Sequence, residues 1–271
     1  MNSMLEPKLP TYARAAIEEF IRGHVEVAKA RGVVVGLSGG IDSALVAKLS
    51  CESLGPDRVT GISLPDADSS GSMKDEVRDY ARDLGIAFKE IPIGSIESSV
   101  MGALGGRSPD NVMRGNIKAR IRMIMLYTEA SRTKSLVAGT GNKSEILLGY
   151  YTKYGDGGVD IQPIGDLYKT SVWALGRELG LPESVIKRPP TAGLWEGQTD
   201  EGDLGFTYEF ADKVLVGIER LLEPEEIAEK LGVSLEKVMA VVSRVKVNRH
   251  KRRPAPIPKL TARTVGLDWR D

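Results

Sequence analysis

One stretch limits what this chain can fold into: VVVGLSGGIDSA, residues 33–44. Three consecutive β-branched valines predict a short buried strand, the glycine-rich turn breaks it, and a helix starts at Ile41. Such a turn leaves backbone N–H groups of Ser38, Gly39, Gly40 and the first helical turn without partners. Gly39 and Gly40 carry no Cβ, so an anion can approach the backbone closely. The helix dipole adds positive potential at that spot, and the hydroxyls of Ser38 and Ser43 are further donors. These residues predict a phosphate cradle.

The cradle is of a particular kind. It lacks the lysine and the spacing of a GxxxxGK[ST] loop, and it lacks GxGxxG dinucleotide spacing. An acid, Asp42, stands where phosphates would lie, so an intervening divalent cation is expected. SGGxDS resembles the pyrophosphate loop of the N-type ATP pyrophosphatases, which cleave ATP to AMP and pyrophosphate to activate a carbonyl or carboxylate. The competing reading is a Ser-Gly turn with an acid placed favourably in the first helical turn.

Composition excludes several classes. The 271 residues can bury a full core as one domain, 1–271, and 37 basic residues balance 37 acidic ones, so no global charge draws a polyanion. One cysteine, Cys51, cannot form an intramolecular disulfide, and with two histidines it cannot make a typical zinc site. No apolar run approaches membrane-spanning length and the first residues lack a signal segment, so a cytoplasmic protein with no membrane partner is expected.

Read in order, 11–29 predicts an amphipathic helix with Ala15, Ile17, Phe20, Ile21, Val25 and Val27 on its apolar side. Helix 42–54, strand 58–64, a polar turn 65–72, helix 73–84 and strand 88–93 follow. This alternation predicts right-handed crossovers and an α/β fold, a doubly wound, Rossmann-like parallel sheet of about five strands flanked by helices. Ligands in such sheets sit beyond the strand C-termini, where the glycine turn lies.

A short helix over 95–106 and a longer one over 111–132 come next. In the second, Arg114 falls inside the apolar stripe, Arg120 at its margin and Arg122 further round; each either snorkels to solvent or meets a buried acceptor. The strand 135–139 ends in GTGNKSE, a second strand-to-helix switch. Glu145 is either a first-turn acid offsetting the dipole or, with Asp42, half of a carboxylate pair for Mg2+. The loop 150–169 mixes both signs of charge, and 170–179 is a helix. Residues 188–206 show almost no apolar periodicity and read as a mobile lid carrying Thr191, or as a plain surface loop. Helices over 206–222, 224–231 and 234–247 precede a basic, proline-spaced tail. The pair 224–247 looks like a helix-turn-helix, but its second helix opens on Ser234, Leu235, Glu236 and Lys237, poor groups for reading bases, so no nucleic-acid partner is expected.

Six segments in this order, GLSGGIDSA, RGNIKAR, GTGNKSE, YYTKYGDGGVDIQPIGDLYKT, RPPTAGL and NRHKRRPAPIP, resemble the ammonia-dependent NAD synthetases over nearly the whole chain. The resemblance implies a single synthetase domain of the adenine nucleotide alpha hydrolase-like fold, without a glutaminase domain. It further implies a homodimer that amidates deamido-NAD with ATP, Mg2+ and ammonia, the dinucleotide lying at the dimer interface. Carried over by motif, Gly36, Leu37, Ser38, Gly39, Gly40, Ile41, Asp42 and Ser43 hold the ATP phosphates. Thr140, Lys169 and Thr191 contact ATP, and Asp42 and Glu145 hold Mg2+. Arg120, Lys153, Asp160, His250 and Lys251 hold the dinucleotide. Asp42, Asp160 and Lys169 are the expected catalytic groups, with Asp160 positioning or deprotonating the incoming ammonium. A tRNA-thiolating relative would need paired cysteines, and Cys51 stands alone.

Overall fold

The computed structural model describes residues 4–66, 71–105, 110–195, 197–266 and 268, with the backbone alone at 71 and 72. Its elements run α1 (Ala13–Val27), β1 (Val33–Gly36), α2 (Ile41–Leu54), β2 (Val59–Ser63), α3 (Gly71–Asp83), β3 (Ala87–Glu90), α4 (Gly94–Leu104) and α5 (Asn111–Thr133). Then come β4 (Leu136–Ala138), α6 (Lys143–Leu148), α7 (Lys169–Glu178), α8 (Glu183–Ile186), α9 (Asp200–Leu204), α10 (Tyr208–Glu219), α11 (Pro224–Leu231) and α12 (Leu235–Val247). The predicted turn 65–72 and the end of the predicted helix 95–106 lie partly outside the described residues.

The sheet is parallel, in the order β3-β2-β1-β4, so β1 lies inside it and the chain winds outward in both directions. Val33, Val34 and Val35 are at most 1% exposed, as a strand covered on both faces demands. Their alternation divides them between two cores. Val33 and Val35 pack with α1, α2 and α7 residues such as Ile21, Leu45 and Val172; Val34 packs on the other face with Ile62, Ile121 and Val137. A third core, built on Leu148, Tyr208, Leu215, Ile227 and Val241, joins α6 to the C-terminal helices.

Among the described residues the sheet has four strands, close to the expected five, with a single parallel bridge, Ala138 to Ile161, extending its β4 edge. Two expectations need correction. The buried stripe of α1 is narrower than predicted, Ala13, Ile17, Ile21 and Val25, with Val27 86% exposed. The 188–206 stretch is not structureless. Thr199 caps α9 by accepting from the Gly202 N–H, a capping signal masked by the surrounding glycines and acids.

Candidate active site

The C-terminal ends of β1 and β4 deliver two helix N-termini side by side, α2 and α6. After β1 the turn closes through Gly39, whose φ of +82° suits glycine, and Gly40 opens α2 with no side chain capping it. The first-turn N–H groups therefore have no side-chain acceptor, as an anion site requires. Ser38 and Ser43 stitch the turn itself: the Ser43 hydroxyl donates to the Gly40 carbonyl at 3.0 Å and accepts from the Ser38 N–H at 3.2 Å, while Gly40 N–H donates to the Ser38 hydroxyl at 3.2 Å. These hydroxyls shape the turn.

Asp42, in the first turn of α2, is fixed on both oxygens. Its Oδ1 accepts from Asn142 Nδ2 at 2.9 Å and its Oδ2 meets Lys169 Nζ at 2.5 Å. Asn142 is fully buried and closes a capping box with Glu145: the Asn142 side-chain Oδ1 accepts from the Glu145 N–H, and the Glu145 carboxylate accepts from the Asn142 N–H. Lys169, the first residue of α7 and 2% exposed, stands between the carboxylates, 3.3 Å from Glu145 Oε1, with its ammonium 5.4 Å from the Tyr208 ring centre. Burial by itself lowers the Lys169 pKa, but Asp42 and Glu145 more than offset it and the ammonium is held above its usual range. Glu145 is pushed up to about 8, first by burial and then by the nearby charge of Asp42, with Lys169 opposing. Two carboxylates so placed would gain from a cation. Among the described residues no three His, Cys, Asp or Glu side chains are grouped to hold a metal, so the protein offers two carboxylates with phosphate oxygens and water left to complete the shell. That is the donor set magnesium prefers beside a nucleotide.

The residues expected around the dinucleotide divide. Arg120, exposed on α5, donates to the Lys153 carbonyl at 3.3 Å, and Lys153 Nζ donates to the His250 carbonyl at 3.0 Å, so these three lie together. Lys251 joins them in sequence, yet its ammonium donates to the carbonyls of Gly149 and Tyr151 at 2.6 and 2.7 Å. Arg252 donates to the Leu147 carbonyl at 2.7 Å. Lys251 and Arg252 thus cap the C-terminal end of α6, where the dipole attracts cations, while Arg249, His250, Arg253 and the proline-spaced residues 254–260 are exposed. Asp160 lies at the sheet edge, where its carboxylate accepts from Tyr127 OH at 3.0 Å and the Val137 N–H at 2.7 Å. Thr191 is exposed, its Oγ1 accepting from the Gly193 N–H, and Thr140 follows β4. Of the helix α5 arginines, Arg114 pairs with Glu97 at 2.5 Å and Arg122 donates to the Leu64 carbonyl at 3.1 Å: buried acceptors, both from the protein.

Sequence reasoning missed two groups. Asp200 is 3% exposed, accepts from Tyr208 OH at 3.1 Å and acts electrostatically on Lys169; the signal was its position just after Thr199 in a TDE capping pattern. Lys118 is fully buried inside RGNIKAR, a lysine on the inner face of a helix.

The family model for NAD synthase matches residues 13–255. The chain belongs to the NAD synthase family. It is 50% identical over 250 residues to the NH(3)-dependent NAD(+) synthetase of Methanosarcina mazei, covering 92% of this chain and 98% of that one. Among solved structures, it resembles the NH3-dependent NAD synthetase of Campylobacter jejuni, with 32% identity and a TM-score of 0.77 over 91% of this chain and 98% of that one. The NMN synthetase of Francisella tularensis superimposes with a TM-score of 0.82 at 31% identity, over 93% and 99%.

Proposed function

We propose that this family member amidates the nicotinate carboxylate of deamido-NAD with ammonia, using ATP and releasing AMP and pyrophosphate, the last step of NAD biosynthesis. The observation that carries the reading is Lys169 wedged between Asp42 and Glu145 beside an uncapped helix N-terminus. A carboxylate does not react with ammonia, because oxide is too poor a leaving group. Its oxygen attacks the α-phosphorus of ATP, the α-β bridging bond breaks, and an acyl-adenylate forms. The N–H groups of the glycine turn and the Lys169 ammonium stabilise charge growing on the departing pyrophosphate. Ammonia then adds to the activated carbonyl carbon and AMP leaves; ammonium must first lose a proton, since its lone pair is occupied.

Magnesium fits beside Asp42 and Glu145, where it would neutralise phosphate charge. Residues 36–43 hold the phosphates, Thr140, Lys169 and Thr191 contact ATP, and Arg120, Lys153, Asp160, His250 and Lys251 receive the dinucleotide. Helix α5 carries Met113 and Ile124, 48% and 56% exposed, on the same side as Arg120, which supports a homodimer built on this helix around the dinucleotide. Among the described residues no helix is long and apolar enough to cross a membrane; the proposed site of action is the cytoplasm. With the protein geometry so fixed, alignment and electrostatics supply the catalysis.

Incubation with deamido-NAD, ATP, Mg2+ and an ammonium salt is expected to give equal amounts of NAD, AMP and pyrophosphate; ADP with orthophosphate would overturn the reading. The likeness to an NMN synthetase favours one second reading, in which the acid mononucleotide is the acceptor. A parallel assay with that mononucleotide decides by the ratio of the two kcat/KM values.

A further inference from the structure

Lys118 is 0% exposed, and its ammonium is shared between two distant pieces of chain. It meets Asp66 Oδ2, just past β2, at 2.7 Å and donates to the carbonyl of Leu194 at 3.0 Å. Asp66 also faces Arg122, at 3.4 Å, so a second cation already serves that carboxylate. What Lys118 adds is a bond to a segment 76 residues away.

Leu194 is half-buried and held at its side chain, its N–H and its carbonyl. One helical turn before Lys118, Gly115 leaves room for its side chain: a Cβ there would lie 2.8 Å from Leu194 Cδ1 and 3.1 Å from Leu194 Cβ. The Leu194 N–H donates to Gln198 Oε1 at 2.8 Å, and Gln198 Nε2 donates to Asp203 in α9 at 2.8 Å. The other end of the segment is pinned as well. Arg188 donates to the Gly39 carbonyl of the phosphate turn and pairs with Glu76 at 2.5 Å. Between the pins runs PPTAG, stiffened by two prolines, with Thr191 at its centre.

We propose that Lys118 is a positioning residue for ATP: by holding the Leu194 carbonyl it fixes the strap 188–194, and Thr191 with it, beside the phosphate turn. This rests on the reading above in which Thr191 contacts ATP. Arg188 ties the strap to the turn and Lys118 ties it to α5, so neither end can lift alone.

The test uses the full chain with Lys118→Met, Gly115→Ala and Thr191→Ala, reading amide exchange over 191–195 without ligand, and steady-state kinetics. Gly115→Ala guards against misfolding, since alanine is the better helix former while its methyl displaces Leu194. For both Lys118→Met and Gly115→Ala, exchange is expected to quicken and KM for ATP to rise by about tenfold or more, as for loss of one charge-assisted hydrogen bond. KM for deamido-NAD should hold within about twofold on the same scale. Unchanged exchange overturns the proposal, and so does faster exchange with an unmoved KM for ATP, since a merely structural lysine would lower Tm alone. If Thr191→Ala raises KM for ATP and Lys118→Met does not, the proposal falls and the Thr191 reading stands. If Lys118→Met raises it and Thr191→Ala does not, Lys118 positions the strap while the assignment of Thr191 fails.

Discussion

The side-chain amide of Asn142 donates to the carboxylate of Asp42 at 2.9 Å, joining the N-termini of α6 and α2 across 100 residues of chain. The same side chain caps α6 through the Glu145 N–H, so one amide sets the spacing of both carboxylates that flank Lys169. Asn142→Ala is therefore expected to cost about 1 kcal/mol of stability, a normal cap loss. Its kcat/KM for ATP should fall by about ten- to a hundredfold, because a charge-assisted bond to Asp42 goes too. Thermal melts and steady-state rates on one preparation check this. Equal small losses in both would reduce Asn142 to a cap.

Asp42→Asn keeps the size of the side chain and removes the charge that faces Lys169 at 2.5 Å. Turnover should drop by about 10²- to 10³-fold, the scale of losing one electrostatic contact to the transition state. Tm should stay within a few degrees, since the side chain remains 17% exposed and Lys169 keeps Glu145. Near-normal synthesis in saturating Mg2+ would take Asp42 out of the chemistry.

Where periodicity and turn chemistry are local, the sequence was readable. The glycine turn after β1, the crossovers on both sides of the sheet and the α2 and α6 starts follow from β-branched runs ending in glycine or Asn. What escaped was set by contacts between distant residues. Nothing around Lys118 in RGNIKAR announces Leu194 or Asp66, and nothing in NRHKRR announces the carbonyls at the end of α6. The α9 cap was present as Thr199-Asp200-Glu201 but lay in a stretch whose glycines argued for loop. Asp160 came in through resemblance, and its bonds to Tyr127 and Val137 mark a sheet-edge position that no spacing rule reads.

Acid stability has a named source. Glu129 on α5 accepts from Arg132 at 2.6 and 3.1 Å and from Lys89 of β3 at 2.9 and 3.0 Å, and these bonds, Arg132 first, hold its carboxyl below the usual 4.5. A depressed folded pKa gives stability that is present above 4.5 and disappears as pH falls through the folded value. Glu129→Gln should lose about 1 kcal/mol at neutral pH, limited by the exposure of both cations. Denaturant titrations should show the gap to the parent closing as pH falls below 4.5, and a gap constant from neutral pH into acid would refute the linkage.

Cys51 is a quiet thiol. Burial on α2 pushes it up to about 11, so little thiolate exists near neutral pH. Ellman's reagent at pH 8 should react slowly with the folded, half-buried thiol, and denaturant should release one fast-reacting thiol per chain. Rapid labelling of the native protein would place Cys51 at the surface.

The tail decides between two roles for Lys251. Its ammonium donates to the carbonyls of Gly149 and Tyr151, and burial lowers its pKa despite the opposing charge of Asp156. Arg252 beside it donates to Leu147 and Val245. Both cations complete the end of α6, whose start carries Asn142 and Glu145. Arg252→Ala is expected to cost about 1–3 kcal/mol, the range for carbonyls losing a charged donor. Lys251→Met separates the roles, because methionine fills the space without the charge. If Lys251 also receives the dinucleotide, KM for deamido-NAD should rise about tenfold while KM for ATP moves little. A Tm loss with both KM values unmoved would leave Lys251 as a helix cap alone, and the dinucleotide phosphates would then fall to Arg120, Lys153 and His250, which the structure already holds in one chain of contacts.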